Sequence, residues 1–133
     1  MLKKEQIDRF GQFLIGHFRD STIENFRGIV WRSVPTLCVN RKLMMKITNE
    51  FSSEQKKIIE ELIIECIDET LSSFLWEIQT SENESINTGI LISVDDISIT
   101  NTKEHLQSLL DSDEGWIKKF SKYKDFYLSN KSD

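Results

Sequence analysis

Residues 51–79, FSSEQKKIIEELIIECIDETLSSFLWEIQ, form the one segment long and apolar enough for the rest of the chain to be assembled around it. Ser52 is placed to cap a helix by accepting from its early amides, and Gln55 stands where a capping-box partner reaches back. Glu54 adds negative charge at the positive end of the helix dipole. Advancing by roughly 100° per residue, Ile59, Leu62, Ile63, Cys66, Ile67, Leu71, Phe74, Leu75 and Ile78 gather on one wide face. Glu61, Glu65, Asp68, Glu69 and Ser72 gather opposite. Ile58 and Trp76 fall toward the polar side, so the apolar arc is wider than a surface helix needs. This predicts a central helix covered by neighbours from more than one direction.

At 133 residues the chain fits a single domain, residues 1–133, able to bury a core without metal or disulfide staples. A composition of 38% hydrophobic and 29% charged residues argues against disorder, and one proline with five glycines leaves little room for long linkers. No apolar run approaches the roughly 18 to 20 residues that span a bilayer, and Met1-Leu2-Lys3-Lys4 soon meets Glu5 and Asp8 instead of a signal-peptide core. No membrane partner is expected, and the cytoplasm is the expected location. Cys38 and Cys66 both stand beside apolar residues and outside any CxxC pair, so both are expected as buried, reduced thiols.

In chain order, residues 3–19 place Ile7, Phe10, Leu14 and Phe18 at helical spacing, with Phe13 and Ile15 widening the stripe. Gly11 and Gly16 weaken this first helix slightly and permit close approach of another. Ser21 and Glu24 form a second capping-box pattern, ahead of a second helix carrying Ile23, Phe26, Ile29 and Val30 to about Trp31. Pro35 breaks the chain, and a third helix over residues 36–48 is expected to bury Leu37, Cys38, Leu43, Met44 and Ile47. A short strand at residues 36–39 is the alternative. After a polar loop at 80–87, residues 89–94 and 97–100 turn β-branched around Asp95-Asp96, which predicts a short antiparallel hairpin packing its Ile face on the helices. A short helix over 103–110 and one or two helical turns around Trp116, Ile117, Phe120 and Tyr123 follow, with residues 129–133 expected to fray. The predicted fold is mainly α, a compact helical domain around one long central helix with a small hairpin near the C-terminal third.

Few residues offer themselves for catalysis. His17 and His105 are the two histidines, and neither sits in HExxH, HxH or a cysteine–histidine spacing that suggests zinc. No GxGxxG, GxxxxGK[ST] or GxSxG occurs, which disfavours the common nucleotide-binding and hydrolase chemistries. Asp111-Ser112-Asp113-Glu114-Gly115 lacks the ligand series and terminal glutamate of a calcium loop, and Asp95-Asp96 is explained by turn preference. No metal and no cofactor is expected.

Charge is segmented. Residues 1–47 hold nine Lys/Arg and four Asp/Glu, net +5, whereas residues 54–84 hold two Lys/Arg and nine Asp/Glu, net −7. The basic set, Arg19, Arg27, Arg32, Arg41, Lys42 and Lys46, is more simply matched with the acidic segment across helices than with phosphate. A net charge of −5 disfavours nucleic acid as a partner. The acidic face of Glu61, Glu65, Asp68 and Glu69, with Glu77 one side over, is suited to a basic protein partner or is simply a solvated face. Trp116 and Tyr123 are candidate aromatic anchors for that partner; burial in the core is the alternative for both.

SSEQ leading into ID-x-T-x-x-x-FLWEI (Ile67 to Ile78), then a β-rich segment, then DEGWIKKFSKY (Asp113 to Tyr123), resembles small bacterial proteins of the toxin-immunity type. These patches cover about a third of the chain, and the resemblance implies a binding role and no enzymatic activity. The expected function is that of a small protein-binding protein, immunity-like, masking a basic partner through the acidic helix face. The alternative is a small-ligand binder or enzyme whose site is assembled from distant residues, such as His17 or His105 with a carboxylate.

Overall fold

The structure, a computed structural model, describes residues 2–83 and 90–123. It is mainly helical, with a two-stranded antiparallel hairpin. The central helix, α4, runs over Ser53–Asn83 and begins on the expected capping box. The Ser52 amide donates to Gln55 Oε1 at 2.8 Å, and the Gln55 amide donates to Ser52 Oγ at 3.2 Å. The helix continues through residues 80–83, where a loop is expected from sequence; residues 84–87 lie outside the described residues.

The N-terminal region departs from two separate helices. Helix α1 (Leu2–Phe13), a π-helical segment (Leu14–Asp20) and helix α2 (Ser21–Arg32) follow one another without a break. Asp20 and Ser21 both keep right-handed helical backbone, and neither Asp20 nor Phe13 makes a side-chain cap. The capping box at Ser21 does not form, because the turn before it is already wound. The π winding holds one more residue per hydrogen-bonded ring than an α-helix. Its consequence is visible in the side chains: consecutive Arg19 and Asp20 are both buried, and Phe18 meets Phe13 five residues earlier, edge-on at 5.5 Å. The helix ends at Ser33, whose left-handed backbone (φ 53°) lets Val34 N–H close on the Gly28 carbonyl.

Helix α3 (Arg41–Glu50) starts five residues later than expected, on an Asn40 cap that accepts from the Leu43 amide. Residues 37 and 38 therefore lie in a turn, and residues 36–39 form neither helix nor strand. Of the five residues expected to be buried there, Met44 is buried and Ile47 half-buried, while Leu37, Cys38 and Leu43 are exposed.

The two long helical segments pair antiparallel. Arg19 joins Asp68, and Arg27, eight residues on, joins Glu60, eight residues back. In that register Ile23 and Val30 of α2 share a narrow cleft with Glu60 and Ile63 of α4, and Ile23 and Ile64 are both almost fully buried. The C-terminal part then covers α1 and the second half of α4. Strands β1 (Ser93–Val94) and β2 (Ile97–Ser98) form the hairpin, with positive φ at Asp95 and Asp96 as a two-residue turn of this hand requires. Asp95 grips α1 through Arg9 and Gln6, and Ile99 enters the core as expected of the hairpin's Ile face.

Helices α5 (Leu106–Asp111) and α6 (Trp116–Phe120) complete the cover. Gln79 supplies the start of α5, accepting from the Leu106 amide and donating to the Glu104 carbonyl. Trp116 lies on Gly11, where an added Cβ would stand 2.3 Å from the indole, and meets Phe10 edge-on. Gly11 thus serves the close approach expected of it, though the approaching group is a tryptophan from α6. Gly16 has open space beside it and serves none.

Candidate functional site: an apolar groove with an acidic rim

The buried line of α4 runs through Glu60, Ile64, Asp68, Leu71, Leu75, Ile78 and Gln79. It is rotated from the face expected from the periodicity. Ile64, unassigned in that expectation, is core, whereas Leu62 is 62% exposed and Cys66 and Phe74 are also exposed. The apolar arc is as wide as its sequence indicates, but the described residues cover only part of it.

The uncovered part forms a groove. Phe18, Thr22 and Phe26 make one wall, Leu62, Cys66 and Thr70 the other, and Ile63, Ile67 and Leu71 the floor. Its volume is about 450 Å³, and apart from two threonines its lining is apolar or thiol. The π segment contributes directly, since its winding turns Arg19 inward while leaving Phe18 on the groove wall beside the exposed Phe13. His17 stacks on Phe13 at 5.0 Å, extending the aromatic surface.

Along α4 the residues four apart form parallel ridges. Leu62, Cys66 and Thr70 are one such ridge, and Glu61, Glu65 and Glu69, all exposed, are the next one out. Glu65 and Glu69 share a shallow recess with Cys66 and Thr70, so the acidic row borders the apolar groove directly. Glu77 is exposed further along the helix. On the facing wall the next exposed residues, Ser21 and Asn25, carry no charge. One rim is acidic and the other neutral.

Asp68 does not belong to this exposed face. It is buried and takes a two-pronged grip from Arg19, Nε to Oδ1 at 2.6 Å and Nη2 to Oδ2 at 3.2 Å. Arg19 is itself fully buried, and its Nη1 donates to Ser121 Oγ at 2.9 Å. Ser121 in turn donates to Asp20 Oδ1, and Asp20 Oδ2 accepts from the Lys122 amide, both at 2.7 Å. This network ties the π segment, α4 and the chain after α6 together. Trp116 is 1% exposed and core, which excludes it as a surface anchor in this fold. Tyr123 is half-buried with the Arg27 guanidinium 5.7 Å from its ring centre.

Several residues in the two sequence patches most suggestive of a binding protein are thus structural. Asp68 pairs with Arg19, Gly115 leaves no room for a Cβ against the Leu109 carbonyl, Trp116 and Ile117 fill the core, and Ser121 completes the network. The two cysteines are exposed, contrary to the expectation of burial: Cys38 because its segment is a turn, Cys66 because no element among the described residues covers its side of α4.

His105 borders a polar recess with Lys3, Gln79 and residues 101–104, in which Gln79 and Lys3 are engaged by backbone carbonyls. Among the described residues neither histidine forms an ion pair with a carboxylate, and no group of three or more His, Cys, Asp or Glu is placed to hold a metal ion. Nor is any helix among them long and apolar enough to cross a membrane. Compared with known proteins, the chain matches no family model, no curated protein and no solved structure.

Proposed function

We propose that this is a small protein-binding protein, immunity-like in its mode of action, that masks a basic partner in the bacterial cytoplasm. The observation that carries this reading is the adjacency of an exposed acidic ridge, Glu61, Glu65 and Glu69, to an apolar groove that the described residues leave uncovered. The apolar surface supplies burial and the ridge supplies selection and steering of a positively charged partner. The free thiols Cys38 and Cys66 accord with a reducing compartment.

The test is capture of the tagged protein's partner from its source cells, by the wild type and by a Glu65→Lys, Glu69→Lys variant. Both positions are exposed, so the variant should keep its helical circular dichroism while losing a basic, salt-released partner. Retention of the same partner by the variant would remove the acidic ridge from consideration. Asp68→Lys is unsuited to this test, because it would bury a second cation against Arg19.

The lining of the groove also favours a second reading, a binder of a small apolar ligand, since about 450 Å³ lies within the usual range for such sites. A rise in melting temperature with aliphatic or aromatic probes, abolished by Leu62→Glu, would support it.

A further inference from the structure

We infer that the groove between α2 and α4 receives one amphipathic helix of the partner, with lysine or arginine on the flank facing Glu65 and Glu69, and that this helix completes a three-helix layer. The inference rests on the proposed binding role and specifies what enters the groove. Three features select this occupant. The walls are helices, whose backbone groups are spent on their own hydrogen bonds, so no sheet edge is offered to an extended peptide. A segment buried between Phe18, Phe26, Leu62 and Cys66 must therefore satisfy its own backbone, which a helix does. The length agrees: from Leu62 to Thr70 the wall is about 12 Å long, just over two turns, which matches large apolar residues at i, i+3 or i+4, and i+7. The charge agrees as well, with carboxylates along one rim and the uncharged Ser21 and Asn25 along the other.

Cys66 in the groove wall makes the occupant detectable. In full-length protein carrying Cys38→Ser, Cys66 is the sole thiol. The probe is a synthetic helical peptide of about 18 residues, roughly 27 Å long as a helix, with a leucine stripe and flanking lysines. Control peptides carry glutamate for lysine, or alanine for leucine.

The lysine peptide should bind saturably, gain helical circular dichroism on binding and slow Cys66 alkylation by a neutral maleimide about tenfold or more. The glutamate peptide should bind at least about tenfold more weakly, equivalent to about 1.4 kcal/mol. The alanine peptide should give no protection. Glu65→Lys with Glu69→Lys should reverse the preference between the charged peptides, and Leu62→Glu should abolish protection with the fold retained.

Equal binding of the lysine and glutamate peptides, or binding without a gain in helix, would overturn the inference. So would protection of Cys66 that rises with protein concentration in the absence of peptide, which would assign the groove to a second copy. A natural partner that depends on Glu65 and Glu69 but leaves Cys66 alkylation unchanged would sink this inference and spare the masking role. A partner indifferent to those two residues would sink the masking role itself.

Discussion

Arg19 places a full positive charge in the protein interior, where the π segment, α4 and the chain after α6 meet. A fully buried guanidinium is tolerated because Asp68 meets it with two oxygens and Ser121 and Asp20 take up its remaining side. Removing one partner of such a group leaves charge in the interior uncompensated. Arg19→Met should therefore cost about 3 to 5 kcal/mol in urea unfolding, and Arg19→Lys should recover only part of this, because an ammonium lacks the planar fork that fits a carboxylate. Gly11 and Gly16 offer a paired test at the same scale. Gly11→Ala drives a methyl into the Trp116 ring and should lower stability by about 1 to 3 kcal/mol. Gly16→Ala meets open space and should be neutral or stabilising by up to about 1 kcal/mol.

At the scale of elements, both capping-box patterns satisfy the same local rule, yet only one caps a helix. Ser52 precedes a helix that starts there, and its box forms; Ser21 follows a π-helical turn that has already wound the chain, so its box has no free amides to bind. Thermal unfolding should separate them: Ser52→Ala should cost about 0.5 to 2 kcal/mol, whereas Ser21→Ala should change stability by less than about 0.5 kcal/mol. The phase of α4 is testable in the same way. Ile64→Ala, in the buried line, should cost about 2 to 5 kcal/mol. Leu62→Ala, two residues away and mostly exposed, should cost less than about 1 kcal/mol, since little of its surface leaves water on folding. Equal losses at the two positions would mean that α4 is turned differently from its orientation here.

Across the whole molecule, the segmental polarity of the sequence is partly spent internally. Arg19–Asp68 and Arg27–Glu60 join the basic N-terminal helices to the acidic central helix in antiparallel register. The cover of α5, α6 and the hairpin is tied to that pair by Trp116 on Gly11 and by Ser121 on Arg19 and Asp20. Helix pair and cover should then unfold as one unit. In a variant retaining Trp116 alone (Trp31→Phe, Trp76→Phe), its fluorescence should be blue-shifted, poorly quenched by acrylamide and lost in the same urea transition as helical circular dichroism. Two separated transitions would show that the cover detaches first.

Local chemistry within residues 51–79 is enough to determine the long central helix, its start at Ser52 and the excess width of its apolar arc, because capping and periodicity depend on residues within a turn or two of each other. The hairpin is legible for the same reason, its Asp-Asp turn and β-branched flanks lying side by side. Which slice of the wide arc is buried was decided only in the tertiary structure, by partners tens of residues away, with Arg19 meeting Asp68 and Arg27 meeting Glu60 on the buried line. In that phase Asp68 is withdrawn from the acidic face, Ile64 is buried, and Leu62 and Cys66 are left uncovered by the described residues. The acidic ridge was visible in sequence and the groove beside it was not, because a groove is the space left once every other contact has been made.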